Sequence, residues 1–116
     1  MHRTWDEWEL IAIRYLQKNH FTIRDTNFRF GRFGEIDIIA QKEERVYFVE
    51  VKYRRTLKYG SPEESIISSK LRKCQRTLEF YCKKYHINPE NIQFDVIAIL
   101  KWTESYKVMH YKNISL

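Results

Sequence analysis

Two short strings in this chain carry charged side chains inside otherwise apolar, strand-forming sequence. The first runs from Gly34 to Ala40 and reads GEIDIIA, and the second runs from Val46 to Lys52 and reads VYFVEVK. Burying a neutral polar group without a hydrogen-bond partner costs on the order of 2–7 kcal/mol, and burying an unpaired carboxylate costs more. A divalent cation offsets that cost, because hard cations take oxygen ligands. The strings therefore restrict the chain to folds that bring these carboxylates together.

Strand geometry says which of these side chains can meet. Successive residues of a strand point to opposite faces, and residues two apart lie roughly 7 Å from each other on one face. This alternation predicts that Glu35, Asp37 and Ile39 share one face of their strand. It also predicts that Glu50 and Lys52 share a face of theirs. If the two strands are neighbours, Asp37 and Glu50 form an acidic pair with Lys52 beside it, which is typical of metal sites that hydrolyse phosphodiesters.

The rest of the chain divides into further helices and strands. Helical spacing of apolar residues predicts a first helix over 4–19, with Thr4 as N-cap and Glu7 completing a capping box. A second helix is expected from Ser61 to about Tyr85, because Ser-Pro-Glu-Glu is a strong helix start. Apolar alternation and turn residues predict five strands, over 21–30 with a bulge near 25–27, and over 35–41, 45–53, 92–100 and 106–111.

The order α-β-β-β-α-β-β predicts an α/β fold with a mixed sheet flanked by helices. The first three strands, joined by short turns, are expected to form an antiparallel meander. The long helix would then cross over to a strand that joins in parallel. The third strand has a long apolar run, which favours a central position buried on both faces.

Composition narrows the class of protein. The 116 residues predict a single domain, 1–116, and the 43% hydrophobic content is enough for a core. A net charge of +6 fits a polyanionic partner such as nucleic acid, although a merely soluble basic protein has the same balance. Cys74 and Cys82 lie on one predicted helix roughly 12 Å apart, too far for a disulfide, which favours reduced thiols and a cytoplasmic location. Neither a signal-peptide pattern nor an apolar run of membrane-spanning length occurs in this sequence, so no membrane association is expected.

Further residues qualify as candidates near the acidic pair. Magnesium needs only one or two protein carboxylates, which Asp37 and Glu50 would supply, and Glu9 on the first helix is a third candidate. A helical glutamate is more often simply solvated. Lys52 would orient or deprotonate the attacking water, or stabilise charge on the phosphate, and the sequence leaves these roles open. Asp95 and His110 are expected to be structural.

Basic residues follow Lys52 directly. Arg54, Arg55 and Lys58 are candidates for contacts to a nucleic-acid backbone, and an ordinary surface loop is an equally good interpretation. Lys70 and Gln75, on the predicted second helix, are weaker candidates for contacts near the phosphate. For these two a solvated basic helix face is the better explanation.

Several motifs in order carry a family resemblance. They are the GEIDIIA string, the Glu50-Val51-Lys52 triplet, the segments 9–16, 60–64 and 94–99, and His110 with Asn113. Together they resemble the YraN-like family of predicted endonucleases over nearly the whole chain. The sequence departs from the family pattern at Trp8, where glycine is usual, and at Tyr53, where a small polar residue commonly follows the lysine.

The resemblance implies a restriction-endonuclease-like PD-(D/E)XK fold, distantly similar to archaeal Holliday junction resolvases. It implies a site of Glu9, Asp37, Glu50 and Lys52, with Glu35 at the strand edge or behind the ligands. The expected function is a Mg²⁺-dependent endonuclease, with Mn²⁺ as a substitute, acting on DNA that includes branched structures in repair or recombination. Three alternatives stay open: a nucleic-acid-binding module without catalysis, a nuclease on RNA, and an interaction component such as a homodimer.

Overall fold

The protein is described here by a computed structural model that covers residues 5–55 and 68–114, with side chains from 75 onward in the second part. Within these ranges, two helices accompany five strands in the predicted order. The helices are α1 (Glu7–Lys18) and α2 (Ser68–Tyr85), and a short 3₁₀ turn spans Pro89–Asn91. The strands are β1 (Thr22–Arg29), β2 (Glu35–Lys42), β3 (Arg45–Arg54), β4 (Ile92–Trp102) and β5 (Ser105–Tyr111).

All five strands form one mixed sheet in the order β1-β2-β3-β4-β5. The pairs β1–β2, β2–β3 and β4–β5 are antiparallel, and β3 pairs with β4 in parallel. The predicted meander, the crossover to a parallel strand and the central place of β3 are therefore confirmed. The two-residue turn at 43–44 joins β2 to β3, whereas the parallel step requires the long connection that contains α2.

The helices cover opposite faces of the sheet. Val46 and Phe48 of β3 pack in a cluster with Leu78 and Tyr81 of α2. Val49, one residue further along β3, packs in the other cluster, which is built on α1. This alternation gives a helix–sheet–helix arrangement whose α1 side also includes Ala12, Ile13, Leu16, Ile38, Ala40, Ile97 and Ile99.

The first helix starts later than the sequence predicts. Helix α1 begins at Glu7, and its N-cap is Asp6, whose side chain makes no capping bond. Trp5 lies before the helix, and its indole Nε1 donates a hydrogen bond to Thr26 Oγ1 of β1 at 3.2 Å. The predicted start at residue 4 is therefore wrong. Thr4 itself, like the predicted start of the second helix at Ser61, lies outside the described residues.

The irregularity in β1 also lies slightly earlier than predicted. The register with β2 shifts between Ile23 and Asp25, so the intervening Arg24 forms the bulge. The guanidinium of Arg24 donates to Gln41 Oε1 at 2.8 Å and to the Tyr81 hydroxyl at 3.0 Å. Asn27, within the predicted span, has a φ of 52° but does not shift the register. Of the two cysteines, Cys82 is a free, buried thiol, and the side chain of Cys74 lies outside the described residues.

Candidate functional site

Asp37 lies where β2 leaves β3. The ladder between the two strands ends at the pair Ile38–Val49. Beyond it, Asp37 Oδ2 accepts a hydrogen bond from the backbone N–H of Val51 at 2.8 Å. A side-chain oxygen thus takes the place that a carbonyl of the partner strand would otherwise occupy.

The predicted alternation of β2 is broken at the same point. Ile36 packs with Ile39 in the cluster on the α2 side, whereas Ile38 packs on the α1 side. Strict alternation would place Ile36 with Ile38. The expectation that Glu35, Asp37 and Ile39 share one face therefore does not hold as a regular pattern, because β2 is irregular around Asp37. The irregularity frees the Asp37 carboxylate to reach across to β3.

Glu50 lies in the middle of the sheet. It is 2% exposed and sits beside Val96 in the parallel register of β3 with β4. Val51, whose N–H bonds to Asp37, is the next residue. The structure therefore brings the Asp37 carboxylate to the peptide that carries Glu50, as predicted for neighbouring strands. A buried carboxylate in such a place is costly unless cations or donors compensate it.

Lys52 follows Glu50 by two residues on the same side of β3. Strand alternation puts both on the side where Phe48 packs against α2. Lys52 is half-buried, and its partner in the parallel register is the small residue Ala98. The predicted proximity of Glu50 and Lys52 along one face is thus consistent with the structure.

Glu9 is held against β1. It lies in the first turn of α1 and is half-buried, and its Oε2 accepts a hydrogen bond from Asn27 Nδ2 at 3.2 Å. The flanking pairs Thr26–Ile38 and Phe28–Ile36 place Asn27 across from Asp37. Glu9 therefore lies at the same end of the sheet as the acidic pair, with Asn27 between α1 and β2.

Asn27 is a residue that the sequence argument used only for a bulge. Its φ of 52° is uncommon outside glycine, and asparagine tolerates it better than most residues. Its Oδ1 is buried and has no hydrogen-bond partner among the described residues. The sequence offered little to single out Asn27 as a site residue. It is an uncharged asparagine a few residues before a turn, which is a common place for asparagine.

The number of carboxylates at this end of the sheet bears on which divalent cation it could hold. Two carboxylates suffice for magnesium, which retains several waters. Asp37 and Glu50 supply that number of carboxylates, and the Asp37 carboxylate is bonded to the N–H of the residue that follows Glu50. Within the ranges 5–55 and 68–114, no group of three His, Cys, Asp or Glu side chains is arranged to hold a metal. The structure therefore does not gather Glu9, Asp37 and Glu50 into one ligand set.

The remaining predicted site residues are spread around this end of the sheet. Glu35 is half-buried at the start of β2 and faces Arg29 in the register. Arg54 ends β3, with its Nη1 donating to the Tyr53 carbonyl at 3.2 Å, and Arg55 is exposed just beyond it. Gln75 is exposed on α2. Lys58 lies outside the described residues, as does the side chain of Lys70, which belongs to α2.

The two departures from the family pattern contact each other. The rings of Trp8 and Tyr53 stack with centroids 4.3 Å apart and an angle of 20° between planes. Trp8 precedes Glu9, and Tyr53 follows Lys52. The stack therefore joins the start of α1 to the end of β3 beside the candidate site.

A second buried carboxylate, Asp95, has a structural explanation. It is 1% exposed and accepts hydrogen bonds from Gln93 Nε2 and the Asn113 N–H, both at 2.9 Å. An ionised carboxylate only accepts, so His110 Nε2 donates to it at 2.7 Å, and the other ring nitrogen lies 2.9 Å from the Tyr15 hydroxyl. Burial acts to raise the pKa of Asp95, but these hydrogen bonds together hold that pKa below its ordinary value. The expectation that Asp95 and His110 are structural agrees with these contacts.

Comparison with known proteins gives a family match. A family model described as "Uncharacterised protein family UPF0102" matches residues 8–99. A UPF0102 protein of Persephonella marina is 40% identical over 107 residues, which cover 92% of this chain and 88% of that protein. One of Syntrophomonas wolfei is 35% identical over 114 residues, covering 97% and 98%. A third, of Acetivibrio thermocellus, is 40% identical over 91 residues, covering 78% and 70%.

Proposed function

We propose that this chain, which belongs to the uncharacterised protein family UPF0102, is a metal-dependent endonuclease that hydrolyses phosphodiester bonds of DNA. One observation carries the proposal: the Asp37 carboxylate is bonded to the Val51 N–H, directly after the buried Glu50 and directly before Lys52. A fixed acidic pair with a lysine on the same strand is the equipment that phosphodiester hydrolysis needs. The mixed α/β sheet is the fold class that the sequence predicts. We further propose that it is a PD-(D/E)XK nuclease fold.

The residues divide the work as follows. Asp37 and Glu50 would hold Mg²⁺, or Mn²⁺ in its place, and a bound ion would supply neutralisation of charge on the phosphate. Glu9, anchored by Asn27, would contribute to the same end of the sheet through water. Lys52 would orient the attacking water or receive its proton, or donate to the phosphate oxygens. Glu35 lies two residues before Asp37, at the start of β2, and would act only through its neighbours.

The surroundings of the pair fit a polyanionic substrate. The net charge of the chain is +6, and Arg54 and Arg55 extend from the strand that carries Lys52. Phosphate contacts from such residues position a nucleic acid without reading its sequence. Branched DNA, of the kind made in repair and recombination, is the substrate class to test first, and Lys58, Lys70 and Gln75 are further proposed contacts.

Cleavage assays with matched variants test the proposal. Purified protein would be incubated with labelled linear duplex, nicked, flap and four-way DNA in Mg²⁺, Mn²⁺ or chelator. Asp37→Ala and Lys52→Ala should each lower the rate by about 10²–10⁴-fold, the range typical of a lost acid–base or electrostatic group. Glu44→Ala is the control, because Glu44 is an exposed carboxylate in the turn at the opposite end of β2 and β3. Cleavage that is absent, or equally fast in all three variants with their folds intact, contradicts the proposal.

The net charge favours a second candidate function, a nucleic-acid-binding module that does not cleave its ligand. A net charge of +6 predicts binding that weakens steeply with salt. In this case Asp37→Ala should leave the affinity unchanged, and equal retention of an uncharged polymer would reject it. Running the same cleavage assays on RNA substrates distinguishes a ribonuclease from a deoxyribonuclease.

Two further expectations accompany the proposal. Within the described residues, neither helix combines the length and apolar character needed to cross a bilayer. A cytoplasmic location and a homodimer stay predictions. A monomer mass that does not change with concentration would contradict the homodimer.

A further inference from the structure

A cleft opens where the parallel strands β3 and β4 both end. Its volume is about 420 Å³, and the described residues that line it are Tyr53, Arg55, Lys101, Trp102 and Thr103. The last pair in the parallel register is Arg54–Leu100, so the cleft lies just beyond the carboxyl ends of both strands. In open α/β sheets, ligands bind in the crevice outside the carboxyl ends of strands. The position alone therefore makes this cleft a candidate for binding a ligand.

Trp102 supplies the cleft with an exposed aromatic surface. It is the last residue of β4 and is 49% exposed. Its partner across the two-residue turn is Ser105, which is too small to cover an indole. A large flat aromatic left open at the end of a sheet is the kind of surface on which nucleic-acid bases stack.

Tyr53 forms a fixed wall of the same cleft. Its ring stacks on Trp8, and its hydroxyl accepts a hydrogen bond from Arg55 Nε at 3.4 Å. The tyrosine is therefore held between α1 and the end of β3. Among the described residues of the cleft, Trp102 is the other aromatic side chain, and its exposed ring can contact a ligand.

The cleft also has two cations. Arg55 is exposed at the end of β3, and Lys101 Nζ lies 3.6 Å from Glu7 Oε1, with those two side chains 36% and 64% exposed. An ion pair that is this open to water contributes little, so Lys101 can exchange Glu7 for a phosphate at small cost. A base-stacking ring and two cations that line one cleft match the chemistry of a nucleotide.

We propose that this cleft binds one unpaired nucleotide of single-stranded DNA, with its base on Trp102 and its phosphate between Arg55 and Lys101. The inference rests on the proposed function, because it names the substrate class of that site. Lys101 is three register positions beyond Ala98, the partner of Lys52. This is about 10 Å along the strand at roughly 3.3 Å per residue. Lys101 meets Glu7 on the α1 side of the sheet, whereas Lys52 lies on the α2 side, so the bound nucleotide would be at least about three nucleotide steps from the candidate site. The bases of intact duplex are paired and stacked, so the cleft selects DNA with a flap, gap or other single-stranded segment a few nucleotides from the scissile bond.

Binding measured without cleavage tests this inference. A fluorescein-labelled oligothymidylate and a blunt duplex of equal length would be titrated with the full chain in chelator, with anisotropy as the readout. Trp102→Ala should weaken binding of the oligothymidylate by about 5- to 150-fold, the range for loss of one stacked base, with little change for the duplex. Trp102→Phe should restore most of the affinity, because it keeps an aromatic face.

The matched control is Tyr106→Ala. Tyr106 is 53% exposed on the same hairpin, opposite Lys101, but does not line the cleft. Its loss should leave both affinities unchanged. Far-UV circular dichroism confirms that each variant keeps its fold.

The outcomes for this cleft and for the nuclease proposal are separable. Equal weakening of oligothymidylate and duplex by Trp102→Ala, or no weakening of either, overturns the cleft assignment. Binding that depends on Trp102 together with absent cleavage supports the cleft and refutes only the nuclease. Cleavage of flap DNA that is as fast in Trp102→Ala as in the unaltered chain at subsaturating substrate also counts against the cleft.

Discussion

Removing the Asp95 carboxylate gives a quantitative test of the contacts that close this fold. Asp95→Ala leaves three donors facing a buried space: Gln93 Nε2, the Asn113 N–H and His110 Nε2. Each buried donor without an acceptor costs about 1–3 kcal/mol, and breaking a buried charged pair on one side costs about 3–5 kcal/mol. The contributions overlap, so we expect a loss of about 3–5 kcal/mol. Against a total stability of about 5–15 kcal/mol for a domain, the variant would be marginally stable.

Urea unfolding followed by far-UV circular dichroism measures this loss. With a slope of about 1–3 kcal/mol per molar urea, the midpoint should fall by at least about 1 M. Glu104→Ala is the control, because Glu104 is an exposed carboxylate in the β4–β5 turn. Its effect should stay within about 0.5 kcal/mol. A loss below about 1 kcal/mol for Asp95→Ala would refute this account of the cluster.

The same carboxylate predicts a pH dependence with a definite sign. Its pKa is lowered in the folded chain, so the folded state binds its proton less readily than the unfolded state does. The stabilisation is therefore complete above the unfolded pKa of about 3.9 and is lost as pH falls below it toward the folded pKa. Asp95→Asn should remove this part of the acid dependence. Parallel curves for the unaltered chain and this variant below pH of about 4 would contradict the assignment.

Two smaller perturbations test the surroundings of the candidate site. Thr77→Val should destabilise the chain by about 1–3 kcal/mol, because the fully buried Thr77 hydroxyl donates to the Gly34 carbonyl at 3.1 Å before β2 begins. Asn27→Gly should be more stable than Asn27→Ala by about 1–2 kcal/mol, since a φ of 52° is strained for alanine but not for glycine. Urea midpoints check both, and a glycine variant no more stable than the alanine variant would show that position 27 adopts another backbone conformation.

The order of helices and strands was largely predictable from the sequence. Where the prediction was wrong, the cause is a local contact or irregularity. The long apolar run of β3 predicted a strand buried on both faces, and the structure packs Val46 and Phe48 on one side and Val49 on the other. The start of α1 was predicted too early because Trp5 fits the helical spacing of apolar residues. Spacing does not report that the indole of Trp5 bonds to Thr26, a residue 21 positions away.

The candidate site shows the same division. Carboxylates inside apolar strands marked Asp37 and Glu50 from the sequence, because such residues are costly there without a partner. The sequence did not contain the departure of β2 from β3, the bond from Val51 to Asp37, or the position of Asn27 between Glu9 and Asp37. These depend on how strands and helix dock, and strict alternation would have placed Ile36 on the other face.

Sequence alone determined the order of helices and strands, the mixed sheet and the identity of the charged residues at its centre, because hydrophobic period and turn chemistry are local properties. Tertiary structure decided which groups meet: Asp37 with the backbone of β3, Trp8 with Tyr53, and Asp95 with His110 and Tyr15. The partners in each case are separated by 14 or more residues along the chain, and only the packing of both helices on one sheet brings them within contact distance.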